Sequence, residues 1–294
     1  RPGRVPEQHY SEITAVWPEW TVNHRLDGLW SSLIIAESVG PDDYRAMYPR
    51  GEPELLVRAK GRALFDPRTG ISAWSENIAL AIADLIASPD GFGRPDAFDL
   101  ANIAEQASIC DRQVALAGGG VEPLYRIGGS FQLNEEPRDV LQRMLNACGG
   151  QVRLKPSGKL ALQVGAWRAP EFTLRLEDVL EVAEFSVEQD ALEYSNVLPG
   201  RFVSHDLGFI EVDAEAVRDE ARIARDGEEA VGEVVELLMC PSHRQARQAL
   251  KVRMARDNPA ERVDLLCKPR ALPAIFEETV QLDIPELAFS GPFE

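Results

Sequence analysis

The sequence has few of the residues on which disulfide scaffolds, metal sites and membrane spans depend. Its four cysteines lie far apart, with no CxxC pair and no cluster of cysteine with histidine. This pattern excludes a disulfide framework and a zinc ligand set, and it predicts buried free thiols in a reducing compartment. No apolar run approaches the ~18 residues of a membrane-spanning helix and no signal peptide opens the chain, so we expect no membrane span.

Positive charge is also scarce. The chain has 31 lysines and arginines against 48 acids, which gives a formal net charge of −17. We expect so acidic a surface to repel polyanions, and therefore no stable binding of nucleic acid. The hydrophobic share of 45% and the charged share of 27% are typical of a globular chain with a sizeable core. At ~150 residues per domain, 294 residues predict about two domains.

Strand-forming residues dominate the two ends of the chain. β-Branched, aromatic and aliphatic residues, separated by turn sequences, predict N-terminal strands at 17–23, 28–37 and 54–60. Downstream, the same residue types predict strands at 172–174, 195–209 and 231–240, and strand-like character at 262–284. The chain begins without an initiator methionine and ends where a strand has barely stopped, so we expect a piece of a longer polypeptide.

The middle of the chain has the apolar periodicity of amphipathic helices. Helices are predicted after the N-cap Ser75, from Asp99 and from Pro137, the third ending at Gly149 in the left-handed conformation. The third helix runs directly into a predicted hairpin at 151–165. Residues 99–114 and 139–152 are similar helix-to-strand units, which either chance or duplication explains. The combination predicts the α+β class.

A fourth helix carries a cluster of positive charge. Ser242 and Gln245 fit a capping box, and the helix is predicted to end near residue 257. Arg244, Arg247 and Lys251 share one stripe of this helix. The stripe could bind nucleic acid, contact an acidic neighbour or lie solvated. Because the rest of the chain is acidic, we favour a partner contact or a solvated face.

The sequence offers no convincing active site. Residues 118–120 lack the flanking strand and helix of a dinucleotide-binding turn, and Gly158-Lys159 is followed by leucine instead of serine or threonine. His205-Asp206 could orient a general base, but we favour a turn between strands. The four histidines form no HxH or HExxH pair. The sequence therefore predicts no enzyme, no metal and no cofactor.

Several segments occur in an order that a known family shares. Residues 62–68 (RALFDPR) and 74–85 (WSENIALAIADL) are similar to a "y-D-P-R" turn and a "W-S-x-N-P-A-L" helix start, with Ile78 in place of proline. Residues 101–111 are similar to an "A-A-N-x-C-D" helix, with altered spacing at 107–109. Further matches are a "Y-x-x-N-G" strand at 125–131, with Gly128 where Asn is common, an "L-L-x-A-x-G-G … G-K-L" helix and hairpin at 141–162, an "N-x-V-x-G-x-F" strand at 195–202 and an "S-x-x-Q-A-x-R" helix at 242–256.

The order of these segments over residues 55–260 resembles the tail tip attachment protein J family of lambda-like siphophages. The resemblance implies β-barrel-like, tube-type hub domains with an inserted helix-plus-hairpin domain. We predict a β-rich hub domain at 1–72, a candidate for one discontinuous barrel with 191–240. An α+β domain at 73–190 and another at 191–294, with the basic helix near 242–257, complete the prediction.

The same resemblance implies a structural hub subunit at the distal end of a phage or prophage tail tube. Such a subunit would be a homotrimer, part of a longer host-attachment protein, and would contact tail tube, tape-measure and tail-tip proteins. Its location would be the virion tail tip, and the host cytoplasm during assembly. Two alternatives stay open: a tail-associated cell-wall hydrolase, and a nucleic-acid-binding module using the 242–257 helix. In the leading interpretation Arg244, Arg247 and Lys251 are candidate partner-contact residues.

The acidity increases toward the C terminus. Residues 211–294 carry 11 basic and 18 acidic residues, although the basic helix lies among them. If the protein forms a ring, we expect the acids to face its lumen, where they would repel passing DNA.

Overall fold

The structure is a computed structural model that describes residues 4–36, 39–49, 51, 57, 59–186, 194–259, 261–276, 279–285 and 289–293. By its internal contacts the chain divides into two units, residues 1–59 and 60–294. The domain boundaries near residues 72 and 190 stay predictions. No helix in the described ranges is long and apolar enough to cross a membrane.

The N-terminal unit contains two short helices, α1 (Ser11–Val16) and α2 (Pro41–Met47). The strands predicted at 17–23 and 28–37 are wrong over its described residues, where the backbone forms turns and segments without regular secondary structure. Strand-forming side chains produce a strand only where another backbone completes the ladder of hydrogen bonds, and the described residues supply no such neighbour. The strand predicted at 54–60 lies outside the described residues except at 57, 59 and 60.

The second unit opens with a hairpin and a buried helix. β1 (Ala63–Asp66) pairs antiparallel with β2 (Ile71–Trp74), and α3 (Ile78–Ala87) follows. The side chain of Asn77 caps α3 by accepting hydrogen bonds from the N–H groups of residues 79 (3.1 Å) and 80 (3.3 Å). The predicted cap Ser75 is therefore wrong by two residues; its Oγ accepts from the N–H of Asn77 (3.1 Å).

Two units of one helix and one hairpin come next. The two predicted helices and the hairpin after the second of them are confirmed, whereas only a strand was predicted after the first. α4 (Leu100–Cys110) leads into β3 (Gln113–Ala115) and β4 (Val121–Pro123). α5 (Pro137–Cys148) leads into β5 (Gln151–Leu154) and β6 (Leu160–Gln163). Asp99, from which the second helix is predicted to run, caps α4, and Gly149 ends α5 in the left-handed conformation as predicted.

A three-stranded sheet supports the basic helix. β9 (Val197–Ser204) pairs antiparallel with β10 (Ile210–Arg218) and parallel with β11 (Val235–Leu237). The short helix α6 (Glu220–Asp226) follows β10, and α7 (His243–Asp257) packs on β9 and β10. Sequence reasoning missed β10 because its outward residues are largely charged and its buried residues are Ala214 and Val217 alone.

A smaller core lies between the remaining strands. β7 (Phe172–Arg175) pairs in parallel with β13 (Val280–Ile284), which pairs antiparallel with β14 (Phe289–Phe293). β8 (Val179–Ser186) pairs antiparallel with β12 (Arg262–Cys267). A 3₁₀-helical segment, Pro269–Phe276, interrupts the strand-like region predicted at 262–284. The buried residues of this core are Leu174, Ala271, Leu282 and Ile284.

The larger core joins α3, α4, α5 and α7 with the sheet of β9, β10 and β11. Helices and antiparallel hairpins are mixed in it, in agreement with the α+β class. The described sheets have two or three strands each, and none of them closes into a barrel. The expectation of barrel-like domains is therefore not met by the described strands, because each of these sheets keeps open edges.

Candidate functional site

The predicted contact stripe lies on α7, and its first residue is bound within the protein. Arg244 donates from Nε to Glu122 Oε1 and from Nη2 to the carbonyl oxygens of residues 123 (3.1 Å) and 124 (2.5 Å). Glu122 also accepts from Ser242 Oγ (3.0 Å) and Arg126 Nη2 (3.2 Å). Arg244 therefore ties α7 to β4, and its guanidinium is already occupied.

The other two residues of the stripe lie in different surroundings. Arg247 Nη1 is 3.0 Å from Glu215 Oε2 on β10, and both side chains are exposed. Lys251 is exposed and has no hydrogen bond or ion pair with any residue that the structure describes. Within the described part of the chain, the stripe thus consists of an anchor at Arg244, a surface ion pair at Arg247 and an unpaired cation at Lys251.

The first turn of α7 fixes the helix to the rest of the core. Ser242 Oγ accepts from the Gln245 N–H (3.2 Å), which is the first half of the predicted capping box. The second half does not form, because the buried Gln245 side chain binds elsewhere. It accepts from the Arg126 N–H (2.9 Å) and donates to the carbonyl oxygens of Arg126 (2.7 Å) and Ala147 (2.9 Å). Each of these partners satisfies a polar group that burial would otherwise penalise.

Beside Lys251, α7 borders an open groove with a cavity volume of about 410 Å³. Residues 165–168, which follow β6, line the groove together with α7, Leu124 and Thr279. Its lining includes three cations, Arg168, Lys251 and Arg256, and no acid, in a chain that has 48 acids. We call this feature the basic groove. It concentrates positive charge that the sequence as a whole lacks.

Two cations of the basic groove are held by the protein, and an exposed tryptophan lies next to them. Arg256 Nη1 donates to the Gly149 carbonyl oxygen at the end of α5 (2.6 Å), and Arg168 donates to Gln106 Oε1. Trp167 is 75% exposed. A tryptophan offers a partner both apolar area and an indole N–H donor. Sequence reasoning missed the groove because residues 167–168 lie next to α7 only in the folded chain. The available signal in the sequence was a Trp-Arg pair directly after the predicted hairpin.

The histidine and glycine candidates lie in turns. His205 and Asp206 are part of the turn between β9 and β10, which confirms the turn interpretation, and the His205 ring lies 4.3 Å from the Phe209 ring. Residues 118–120 lie in the connection between β3 and β4, and Gly158 lies in that between β5 and β6. These residues shape hairpins, and their positions do not assemble a catalytic site.

The cysteines are free thiols, and three of them are buried. Burial raises the pKa of Cys110 and of Cys240 to about 12, and it also raises the pKa of Cys148. These thiols are therefore protonated at neutral pH, and the thiolate is the form that reacts. Across the described part of the chain, no three histidine, cysteine or acidic residues lie close enough together to hold a metal ion.

Comparison with solved structures shows a similarity in fold. A chain of the native gene transfer agent virion covers 87% of this chain with a TM-score of 0.50 and 15% identity. The fold is similar to that of this virion chain. The 43 kDa tail protein of prophage MuSo2 from Shewanella oneidensis matches 74% of the chain at 13% identity and a TM-score of 0.36. A tail protein from Neisseria meningitidis MC58 matches 73% at 12% identity and a TM-score of 0.42.

The three matched proteins are longer than this chain. It covers 48% of the gene transfer agent chain, 57% of the prophage protein and 58% of the Neisseria protein. No family model matches the sequence, and no curated protein matches it.

Proposed function

We propose that this chain is a structural, non-enzymatic part of the tail of a phage, a prophage or a gene transfer particle. The observation that carries the proposal is the fold it shares with a chain of the gene transfer agent virion, over 87% of its own length. The proposed location is the virion.

Within the tail, we propose the role of a hub subunit at the distal end of the tail tube. The chain would belong to a longer host-attachment protein, form a homotrimeric ring and contact tail tube, tape-measure and tail-tip proteins. It would pass through the host cytoplasm during assembly. The ordered segments at 62–256 that resemble the tail tip attachment protein J family support this role. The domain ranges 1–72, 73–190 and 191–294 belong to the same proposal.

The hydrogen-bond and ion-pair partners of the polar residues support a structural role over a hydrolase or a nucleic-acid-binding module. Glu122 and Gln245 join distant segments of the chain, as polar residues do in a rigid scaffold. His205-Asp206, the candidate base of a hydrolase, lies in a hairpin turn. A nucleic-acid-binding helix would need free cations, but Arg244 and Arg247 are paired with Glu122 and Glu215.

Purified particles of the source provide the test. Gold-labelled antibody against this region is expected to bind at one end of isolated tails, and deletion of the coding sequence is expected to abolish tail assembly. Particles that lack the protein, together with normal tails in the deletion strain, would overturn the tail proposal. Label along the shaft instead of at the distal end would overturn the hub role alone.

A further inference from the structure

We propose that the basic groove of one copy of this chain binds the acidic segment 226–236 of a second copy. The inference rests on the proposed ring-forming function and names the two surfaces that would join neighbouring subunits.

The basic groove has the composition of a binding surface for an acidic peptide. Lys251 is exposed and unpaired among the described residues, and Arg168 and Arg256 are held at fixed positions beside it. Trp167, Leu124 and Val252 add apolar surface to the lining. The groove therefore combines cations, which select a carboxylate, with apolar area, whose burial favours association.

Residues 226–236 (DGEEAVGEVVE), here called the acidic segment, have the complementary composition. The segment carries five acids and no base. Glu228, Glu233 and Glu236 are exposed and form no ion pair with any residue in the described ranges. The apolar residues between them are also exposed, at 63% for Val231 and 51% for Val234. Asp226 and Glu229 pair with Arg225 and Arg218. Among the described residues, the segment thus offers three unpaired carboxylates interspersed with exposed apolar side chains, and the groove offers cations beside apolar side chains.

In the folded chain, the acidic segment does not line the basic groove of the same copy. Residue Val231 forms a bridge to Val197, and β11 at the end of the segment pairs with β9. None of the segment's residues lines the groove of the same chain. A contact between two different surfaces of identical subunits repeats head to tail, and it closes into a ring when the rotation allows. This is the type of contact that a ring of subunits requires.

Charge complementarity favours a second copy of this chain as the partner that binds in the basic groove. Two copies with a net charge of −17 repel each other at long range, so contacts in which a local positive surface meets a local negative one are favoured over other contacts. The basic groove and the acidic segment are such a pair within one sequence. The contact is small, and interfaces well below about 1,000 Å² are weak and transient. We therefore expect weak association in solution and a defined contact that cross-linking can capture.

Zero-length cross-linking with a carbodiimide, which joins a lysine amine to a carboxylate, tests the contact. Equal amounts of unlabelled and ¹⁵N-labelled 294-residue chain are mixed, cross-linked at high concentration and analysed by mass spectrometry. We expect mixed-isotope peptides that join Lys251 to Glu228, Glu233 or Glu236. Lys251→Glu removes the reacting amine and also places like charges across the contact, so it is expected to lower the yield of cross-linked dimer about tenfold.

The double variant Lys251→Glu/Glu233→Lys is expected to restore the cross-linked dimer, because the amine at position 233 can then react with the carboxylate at position 251. Arg138→Glu is the matched control, because it changes the net charge equally at an exposed position of α5. Cross-links of Lys251 only within one copy, or only to acids outside 226–236, would overturn the inference, as would failure of the double variant to recover. If particles contain the protein but the expected cross-links between copies do not form, only the proposed contact between groove and segment is overturned. If the cross-link forms but particles lack the protein, the proposed function falls.

Discussion

At the scale of single residues, Glu122 shows how this acidic chain uses one of its charges inside the fold. Its side chain is 11% exposed and accepts hydrogen bonds from Ser242, Arg244 and Arg126. Ser242 and Arg244 belong to the first turn of α7, which is distant in sequence. A carboxylate at this position therefore joins the hairpin of β3 and β4 to the basic helix.

We expect Glu122→Ala to destabilise the protein. The change leaves the partly buried Arg244 without its carboxylate, while Arg126 keeps its ion pair with Glu76. Hydrogen bonds to charged groups contribute up to about 3 kcal/mol, so a loss of about 2 kcal/mol in the free energy of unfolding is expected. Urea unfolding followed by circular dichroism measures it. Glu105→Ala, at an exposed position of α4, is the control and should change the free energy by less than about 0.5 kcal/mol. Equal stability of the two variants would show that the Glu122 network contributes nothing.

The buried thiols predict a loss of stability at alkaline pH. Burial raises the pKa of Cys240 to about 12 in the folded chain, and unfolding returns it to about 9. The unfolded chain therefore releases this proton first. The free energy of unfolding is intact below pH 9 and falls as the pH rises from 9 to 12, by about 1.4 kcal/mol per thiol at pH 10.

Comparison of urea unfolding at pH 8 and pH 10 checks this expectation. In Cys240→Ala the difference between the two free energies of unfolding should shrink by about 1.4 kcal/mol, because the titrating group is gone. An unchanged difference would mean that the Cys240 thiol ionises as easily in the folded chain as in the unfolded one. Cys267→Ala, at a partly exposed thiol, should change the difference less.

Residues of the candidate site differ in how far the sequence could identify them. Lys251 could be found because a basic stripe on a helix in an acidic chain is visible in the sequence. The occupation of Arg244 could not be found, since Glu122 is distant in the sequence and no local pattern pairs the two. The position of Trp167 and Arg168 beside α7 could not be predicted for the same reason, because this contact depends on tertiary packing.

At the scale of elements, the long helices could be predicted, whereas the short helices α1, α2 and α6 and the isolated strands could not. α4, α5 and α7 follow from apolar periodicity and from capping residues, which are local signals. The unformed strands at 17–23 and 28–37 have strand-forming composition, but a strand also needs a partner that composition does not specify. β10 was missed because four of its nine residues are charged and its buried residues are Ala214 and Val217, so its place in a sheet depends on pairing with β9.

The end of α5 provides a test of the helix contacts. Gly149 has a φ of 55°, and a Cβ there would lie 3.0 Å from Val252 Cγ1 on α7. Gly158 has a φ of 78° in a hairpin turn and open space around it. We expect Gly158→Ala to cost about 1 kcal/mol through backbone strain alone, and Gly149→Ala to cost about 1 kcal/mol more, because Val252 is β-branched and stiff. Thermal unfolding of both variants measures the difference; equal losses would mean that α7 shifts freely away from α5.

At the scale of the whole molecule, the distribution of charge connects the fold to the proposed ring. The basic groove and the acidic segment are candidates for the contact between subunits, which would use part of the positive charge and leave many acids unpaired. If these acids face the lumen, a ring of such subunits would present a negative channel to passing DNA. A structure of the assembled ring with the acids spread evenly over its outside would contradict that arrangement.

The same balance of charge predicts that the free chain does not bind duplex DNA at any ionic strength. A typical DNA-binding protein binds most tightly at low salt, because few counterions then compete for the phosphates. For this chain low salt has the opposite effect: at 0.01 M the Debye length is about 30 Å, so DNA interacts with the whole charge of −17 and not with Lys251 alone. Fluorescence anisotropy of a labelled duplex at low and physiological salt should show no binding. Binding at low salt that disappears in Arg247→Ala/Lys251→Ala, with Arg138→Ala unaffected, would contradict this expectation and favour the nucleic-acid-binding alternative.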